Sequence, residues 1–176
     1  MRDYQPFLNS CIYFNSSAGE KEKEDVKSLI LETCQQIEKK NAGEIVEVLG
    51  NIEFIIYKPI EGDSVDNIDR SPNGGVILKS CWRCFIIYYL PKGLQHRETQ
   101  LYILAHEFAH AFYKHPIYKP QPSRVEIEEL DRKANEKAHE WGFRLHDDDI
   151  VRNSSYEKFF EKTLKIPPPI SGNVKG

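Results

Sequence analysis

Three residues in the spacing H-E-x-x-H, His106, Glu107 and His110, are the part of this 176-residue sequence best suited to chemistry. On a helix, residues four apart lie on one face, so the two imidazoles are able to bind one metal ion. Glu107 is turned by about 100° from His106, which places its carboxylate beside the metal. There a carboxylate takes a proton from a metal-bound water, the general-base step of zinc hydrolases. The motif therefore predicts a catalytic site with Zn²⁺ as its cofactor.

The residues around this motif predict a buried helix over about 97–114. Apolar side chains recur there at three- and four-residue spacing: Leu101, Leu104, Ala105, Phe108, Ala111 and Phe112. A buried helix holds two histidines in fixed positions. Lys114, His115 and Pro116 are typical of a helix C-terminus. We expect His115 at the surface or beside the negative end of the helix dipole.

A second, acidic helix is predicted over about 124–142, after a stiff connection that contains three prolines. Acidic and small residues recur along it at three- and four-residue spacing: Glu128, Asp131, Ala134, Asn135 and Ala138. Small alanines allow a neighbouring helix to approach closely. This face is able to present a carboxylate to the metal while its asparagine reaches a ligand imidazole.

The remaining segments predict an α+β fold with a short, mostly antiparallel sheet. Residues 21–40 have the apolar spacing of an amphipathic helix, and residues 44–58 resemble two strands joined in a hairpin at Gly50 and Asn51. Residues 76–78 and 84–90 are typical of two further strands. The last of these strands is our candidate for an exposed edge to which an extended peptide adds, with an ordinary buried strand as an equally good alternative.

One domain is expected over residues 1–166, with a flexible tail at 167–176. Its sheet, at about 44–90, would pack against both the metal helix and the acidic helix. The formal net charge of −3 and the absence of a clustered Lys/Arg face favour no nucleic-acid partner. No apolar run has the length of a signal peptide or a membrane span, so we expect a cytoplasmic protein without a membrane partner.

The cysteines are too few for a disulfide framework. They are Cys11, Cys34, Cys81 and Cys84. The last two form a C-x-x-C pair, which alone is consistent with redox chemistry or half of a zinc site. Since no second pair follows and the first lies between predicted strands, we interpret it as packing or hairpin residues.

The segment LAHEFAHAFYKHP, preceded by predicted strands and followed by the helix DRKANEKAHEWGF, resembles the ImmA/IrrE-type metallopeptidases, which are similar to gluzincin-type zinc enzymes. The resemblance covers residues 74–143 and implies a small zincin-like domain. In that family the second helix usually carries Glu-x-x-Ala followed by Asp or Asn, with the Glu as third zinc ligand. Asp131, Ala134 and Asn135 match those positions. This implies Asp131 as third ligand and Asn135 as its helper, with Glu128, one turn earlier, as the alternative ligand.

These features predict a zinc-dependent endopeptidase with Glu107 as general base and a protein or peptide substrate. The resemblance implies a regulatory intracellular protease and makes a transcriptional regulator one candidate substrate. The alternative is a non-catalytic zinc-binding module that binds a repressor or a toxin-system partner. Glu107 argues against it, because a structural zinc site needs no carboxylate beside an open ligand position. Conceivable donors to the reaction's oxyanion, with no choice among them, are Tyr88, Tyr89, Tyr113, Tyr118 and His139.

Overall fold

The computed structural model describes residues 2–14, 16, 18–57, 74–78, 84–88, 96–115 and 123–146. Their elements, in chain order, are helix α1 (Gln5–Cys11), strand β1 (Ile12–Phe14), helices α2 (Glu20–Lys40) and α3 (Ala42–Asn51), strands β2 (Ile52–Tyr57), β3 (Gly74–Leu78) and β4 (Cys84–Tyr88), and helices α4 (Arg97–Tyr113) and α5 (Arg124–Glu140). The expected tail at 167–176 and residue Cys81 lie outside these ranges.

Three of the helices lie where the sequence predicts them. These are α2, α4 and α5, each within one or two residues of the predicted ends. Local chemistry explains how α5 begins. The Ser123 hydroxyl accepts from the Glu126 amide at 3.2 Å, and the Glu126 carboxylate accepts from the Ser123 amide at 3.0 Å. This reciprocal pair satisfies donors that a helix N-terminus otherwise leaves without partners.

Residues 42–51 form a helix, so the hairpin predicted at Gly50 and Asn51 is wrong. Asn41 begins this helix, because its side-chain oxygen accepts from the amides of Gly43 and Glu44. Ile45 and Val48, three residues apart, are both fully buried. The apolar spacing is therefore helical, and the first strand of this region begins only at Ile52.

The mostly antiparallel sheet is also wrong. Helices account for most of the described residues, and the small sheet is mixed, with the strand order β1-β2-β4-β3. β1 and β4 both run parallel to β2, and β3 pairs antiparallel with β4. A three-residue strand, β1, carries too little sequence pattern to be predicted. Because β4 lies between β2 and β3, residues 84–88 form a central strand and not the candidate sheet edge, and residues 89–90 lie outside the described ranges.

The core lies between the sheet and the helices, and α4 is its central element. α4 contacts α2, α3, α5 and β3. Side chains from three elements that are at most 1% exposed fill this space: Ile30 and Ile37 from α2, Ile55 and Tyr57 from β2, and Leu104 and Phe108 from α4. Burial of α4 on several sides restricts its side chains to few rotamers. Within the described ranges, no helix is both long and apolar enough to cross a membrane.

Helix α3 has a part in positioning α5. Its residue Glu44 accepts from the Trp141 indole nitrogen at 2.6 Å and from Lys137 Nζ at 3.3 Å. Trp141 is 1% exposed and Lys137 is 8% exposed. Hydrogen bonds to a charged group in such a buried place are stronger than those at the surface. They fix the C-terminal half of α5, and with it the face that is turned toward α4.

Candidate metal centre

Two imidazoles and one carboxylate converge where α4 faces α5. His110 Nε2 lies 3.0 Å from His106 Nε2 and 3.4 Å from Asp131 Oδ1. Ligands held at about 2.0–2.1 Å by a tetrahedral zinc ion are roughly 3.3 Å apart. Both distances are close to that separation, and all three donor atoms lie within 4.8 Å of one another, so the set is compatible with one metal ion such as zinc. In the described part of the chain, this is the one cluster of three or more His, Cys, Asp or Glu with metal-site spacing.

The helix geometry explains this convergence. His106 and His110 are one turn apart on α4 and share a face. On α5, Ala134 and Ala138 are fully buried, and their small side chains let the two helix axes approach closely. Close approach is what an aspartate requires, because it is one methylene shorter than the glutamate usual in such sites.

Asp131 and Glu128 occupy different environments, although both were candidates for the third ligand. Asp131 is partly buried and its carboxylate lies beside His110. Glu128 is exposed and does not belong to the cluster. The structure thus brings Asp131, and not Glu128, to the two histidines.

The His106 ring is held by a residue from the facing helix. Its Nδ1 lies 2.7 Å from Asn135 Oδ1, and the Tyr102 hydroxyl donates to the same oxygen at 2.8 Å. A carbonyl oxygen only accepts, so His106 carries its proton on Nδ1 and has a lone pair on Nε2. Asn135 is 1% exposed, and its Nδ2 has no hydrogen-bond partner among the described residues. Tyr102 was not anticipated, although its position four residues before His106 puts it on the same face.

The His110 ring is held by His115, which the sequence analysis expected at the surface or beside the helix dipole. The surface expectation is wrong, since His115 is 5% exposed and its Nδ1 lies 2.9 Å from His110 Nδ1. The ring of His115 also stacks on that of Tyr113, with centroids 5.2 Å apart.

The turn that ends α4 explains this contact. Lys114 adopts the left-handed conformation, with φ 52° and ψ 41°. The Lys114 amide then donates to Ala111 O, and the His115 amide to His110 O. This is the Schellman arrangement, in which the second residue after the helix folds back over the residue five positions earlier. Asn51 adds support, because its Nδ2 donates to Ala111 O at 3.1 Å.

Burial sets the protonation of the cluster. Desolvation lowers the pKa of His106 to about 3, with repulsion from His110 as the next cause, and lowers the pKa of His110 to about 4. Both rings are therefore neutral near pH 7, as metal ligation requires. Desolvation likewise raises the pKa of Asp131. A metal ion in contact with this carboxylate would favour its ionised form.

Glu107 lies in the same buried region. It is 6% exposed, and desolvation, assisted by the charge of Asp131, raises the pKa of Glu107 to about 8. Buried carboxyl groups with strongly raised pKa values are frequent at catalytic sites. Helix α4 thus supplies a buried carboxyl group, one residue after His106, that interacts electrostatically with Asp131.

The candidate oxyanion donors are less well placed. Tyr113 is 40% exposed and faces His115. The His139 ring lies 5.3 Å from the Tyr102 ring, and its Nδ1 contacts Arg144 at 2.7 Å. Tyr88 ends β4, and the other two candidates, Tyr89 and Tyr118, lie outside the described residues. No donor is selected by these positions.

No known family profile, curated protein or solved structure matches this chain. The resemblance to ImmA/IrrE-type metallopeptidases therefore stays a prediction from the residues of the two helices.

Proposed function

We propose that this chain is a zinc-dependent endopeptidase in which His106, His110 and Asp131 bind the metal and Glu107 is the general base. The observation that carries the proposal is the convergence of two imidazole nitrogens and a carboxylate oxygen beside a buried glutamate. Zinc bound there supplies a Lewis acid that polarises the scissile carbonyl and lowers the pKa of water. Three protein ligands leave a fourth position open, as in catalytic zinc sites.

Glu107 performs the proton transfers in this proposal. As a carboxylate it accepts a proton from the attacking water, and as an acid it returns the proton to the departing amine. Burial raises the pKa of Glu107 in the metal-free protein, and a metal ion bound beside it would lower that pKa and favour the carboxylate that accepts the proton. His106 and His110 are neutral and their Nε2 atoms lie 3.0 Å apart, so both could bind one metal ion once the proton between these two atoms is lost.

The buried glutamate favours an enzyme over a non-catalytic zinc module. A carboxyl group buried beside Asp131 is unfavourable for folding, and a structural zinc site has no need of it. The polypeptide substrate, with a transcriptional regulator as one candidate, rests on the resemblance of the two helices to ImmA/IrrE-type metallopeptidases.

Proteolysis with and without a chelator tests the proposal. Zinc-loaded protein is incubated with an unfolded protein and with a library of quenched fluorescent peptides, and products are followed over time. We expect cleavage that a chelator stops and added zinc restores. Glu107→Gln should lower the rate by about 10²–10⁴-fold, while zinc content stays at the wild-type level and the melting temperature does not fall.

Glu128→Gln is the matched control, because it makes the same chemical change at an exposed site on the neighbouring helix. It should retain wild-type cleavage. Equal rates in Glu107→Gln and wild type would assign the base elsewhere. Zinc binding without any cleavage would favour the regulatory module, and affinity capture on Glu107→Gln followed by mass spectrometry would then identify its partner.

A further inference from the structure

We propose that His115 is the proton partner of His110: it donates to His110 in the metal-free protein and accepts from it when zinc is bound. In this role it is a positioning residue, since it acts through His110 and not on the substrate. The proposal rests on the zinc site proposed above, but it concerns only where protons lie within the three histidines.

The hydrogen bonds among the three histidines limit which ring nitrogens carry protons. His110 Nδ1 and His115 Nδ1 are 2.9 Å apart, so one proton lies between them. His110 Nε2 and His106 Nε2 are 3.0 Å apart. His106 has its proton on Nδ1, because Asn135 Oδ1 only accepts, and therefore its Nε2 is an acceptor.

Without a metal, one arrangement of neutral rings satisfies both contacts. His115 Nδ1–H donates to His110 Nδ1, and His110 Nε2–H donates to His106 Nε2. The reverse placement on His110 would set two Nε2 lone pairs against each other at 3.0 Å. A directed chain of hydrogen bonds thus runs from His115 through His110 and His106 to Asn135.

Zinc requires the other tautomer of His110, because a metal binds the unprotonated nitrogen. The Nε2 proton of His110 then leaves to water, the proton between the rings moves from His115 Nδ1 to His110 Nδ1, and His115 takes a proton from water on Nε2. All three rings stay neutral and the proton count is unchanged. His115 keeps its hydrogen bond to His110 in both states, because an imidazole is able to donate or accept at Nδ1. The change of tautomer therefore costs little free energy.

Two variants of equal size separate the hydrogen bond from packing. Asn carries its Oδ1 on Cγ, as histidine carries Nδ1, so His115→Asn retains an acceptor at that place. His115→Leu fills similar space without one. We expect His115→Leu to bind zinc roughly 10–100-fold more weakly by competition with a chelating dye, and His115→Asn to recover most of that loss.

Long-range ¹H–¹⁵N spectra of the histidine rings give a second readout that does not depend on catalysis. In wild-type protein the protonated nitrogen should change from Nε2 to Nδ1 in His110, and from Nδ1 to Nε2 in His115, when zinc is added. His106 should keep its Nδ1 proton throughout. These spectra need no variant, so they apply even if His115→Leu does not fold.

The outcomes separate this inference from the proposed function. If wild-type protein binds zinc while His115→Leu binds it equally tightly, or the His115 tautomer stays the same, the inference is wrong and the zinc site stands. If wild-type protein takes up no zinc, the site itself is wrong and the inference falls with it.

Discussion

The two histidines of the proposed metal site differ in how they are held. His106 depends on Asn135, a residue of the other helix, whereas His110 depends on His115, five residues further along its own chain. The first contact requires α4 and α5 to pack together, and the second requires only the turn that ends α4. Because Asp131 also belongs to α5, separating the helices would remove the proposed third ligand and the residue that holds His106 together. Helix α5 is therefore where the site is most vulnerable.

The largest effect is expected from removing the carboxylate of α5. Asp131→Ala should weaken zinc binding by more than the roughly 10–100-fold typical of an outer-shell partner, because it deletes one of the three proposed protein ligands. Glu128→Ala, one turn earlier and exposed, should leave zinc affinity unchanged. Isothermal titration calorimetry of both variants makes the comparison. Loss of zinc in Glu128→Ala alone would show that α5 is one turn out of place.

Acid should destabilise the metal-free protein through both histidines. Their pKa values, about 3 for His106 and about 4 for His110, lie below the ordinary value of 6.5. The unfolded chain therefore binds more protons, and stability present above pH 6.5 is lost as pH falls through about 4 for His110 and about 3 for His106. Glu107 acts oppositely, since its raised pKa of about 8 means that stability is lost as pH rises from 4.5 through 8.

Urea unfolding of chelator-treated protein between pH 4 and pH 9 measures both effects. We expect a stability maximum near pH 6.5. Glu107→Gln should flatten the alkaline side and steepen the acid side between pH 4.5 and 6.5, where Glu107 opposes the histidines. The double variant His106→Gln/His110→Gln should lose the rise on the acid side, so that its stability falls continuously from about pH 4.5 to about pH 8. If none of these variants alters the dependence of stability on pH, the groups responsible for it lie outside the metal centre.

The helper on α5 should have a smaller effect than the ligand. Asn135→Leu removes the oxygen that fixes the His106 ring, and we expect zinc affinity to fall by roughly 10–100-fold. Asn135→Asp keeps the acceptor and removes the Nδ2 group, which has no partner among the described residues. It should bind zinc at least as tightly as the wild type. Equal weakening in both variants would mean that packing at position 135, and not its oxygen, holds His106.

Sequence was informative where the pattern was local. The spacing of His106, Glu107 and His110 and the apolar stripe around them identified α4, and helical spacing identified α5. His115 was missed because its contact arises from a left-handed residue at Lys114, and glycine is the usual signal for that turn. A histidine placed two residues after the helix, and five after a ligand, is the signal to look for.

Sequence was misleading where β-branched residues and distant pairing decided the outcome. Ile45, Val46 and Val48 favoured a strand, although Asn41 with Glu44 three residues later is a helix-start signature. Parallel pairing of β2 with β1 and β4 joins segments far apart in the chain. Alternating apolar residues do not specify which strand will lie beside which.

The smallest expected effect concerns the turn that holds His110. Lys114 is exposed and has a φ of 52°, a conformation that costs a residue with a Cβ roughly 1 kcal/mol more than glycine. Lys114→Gly should therefore raise the free energy of unfolding by about 0.5–1 kcal/mol, part of the gain being offset by the greater freedom of glycine in the unfolded chain. Lys114→Ala keeps the strain and loses only the charge, so its stability should stay near that of the wild type. Because the turn geometry is preserved, zinc affinity should be the same in both variants. Equal stabilisation by alanine and glycine would trace the effect to the lysine charge and not to the left-handed turn that brings His115 onto His110.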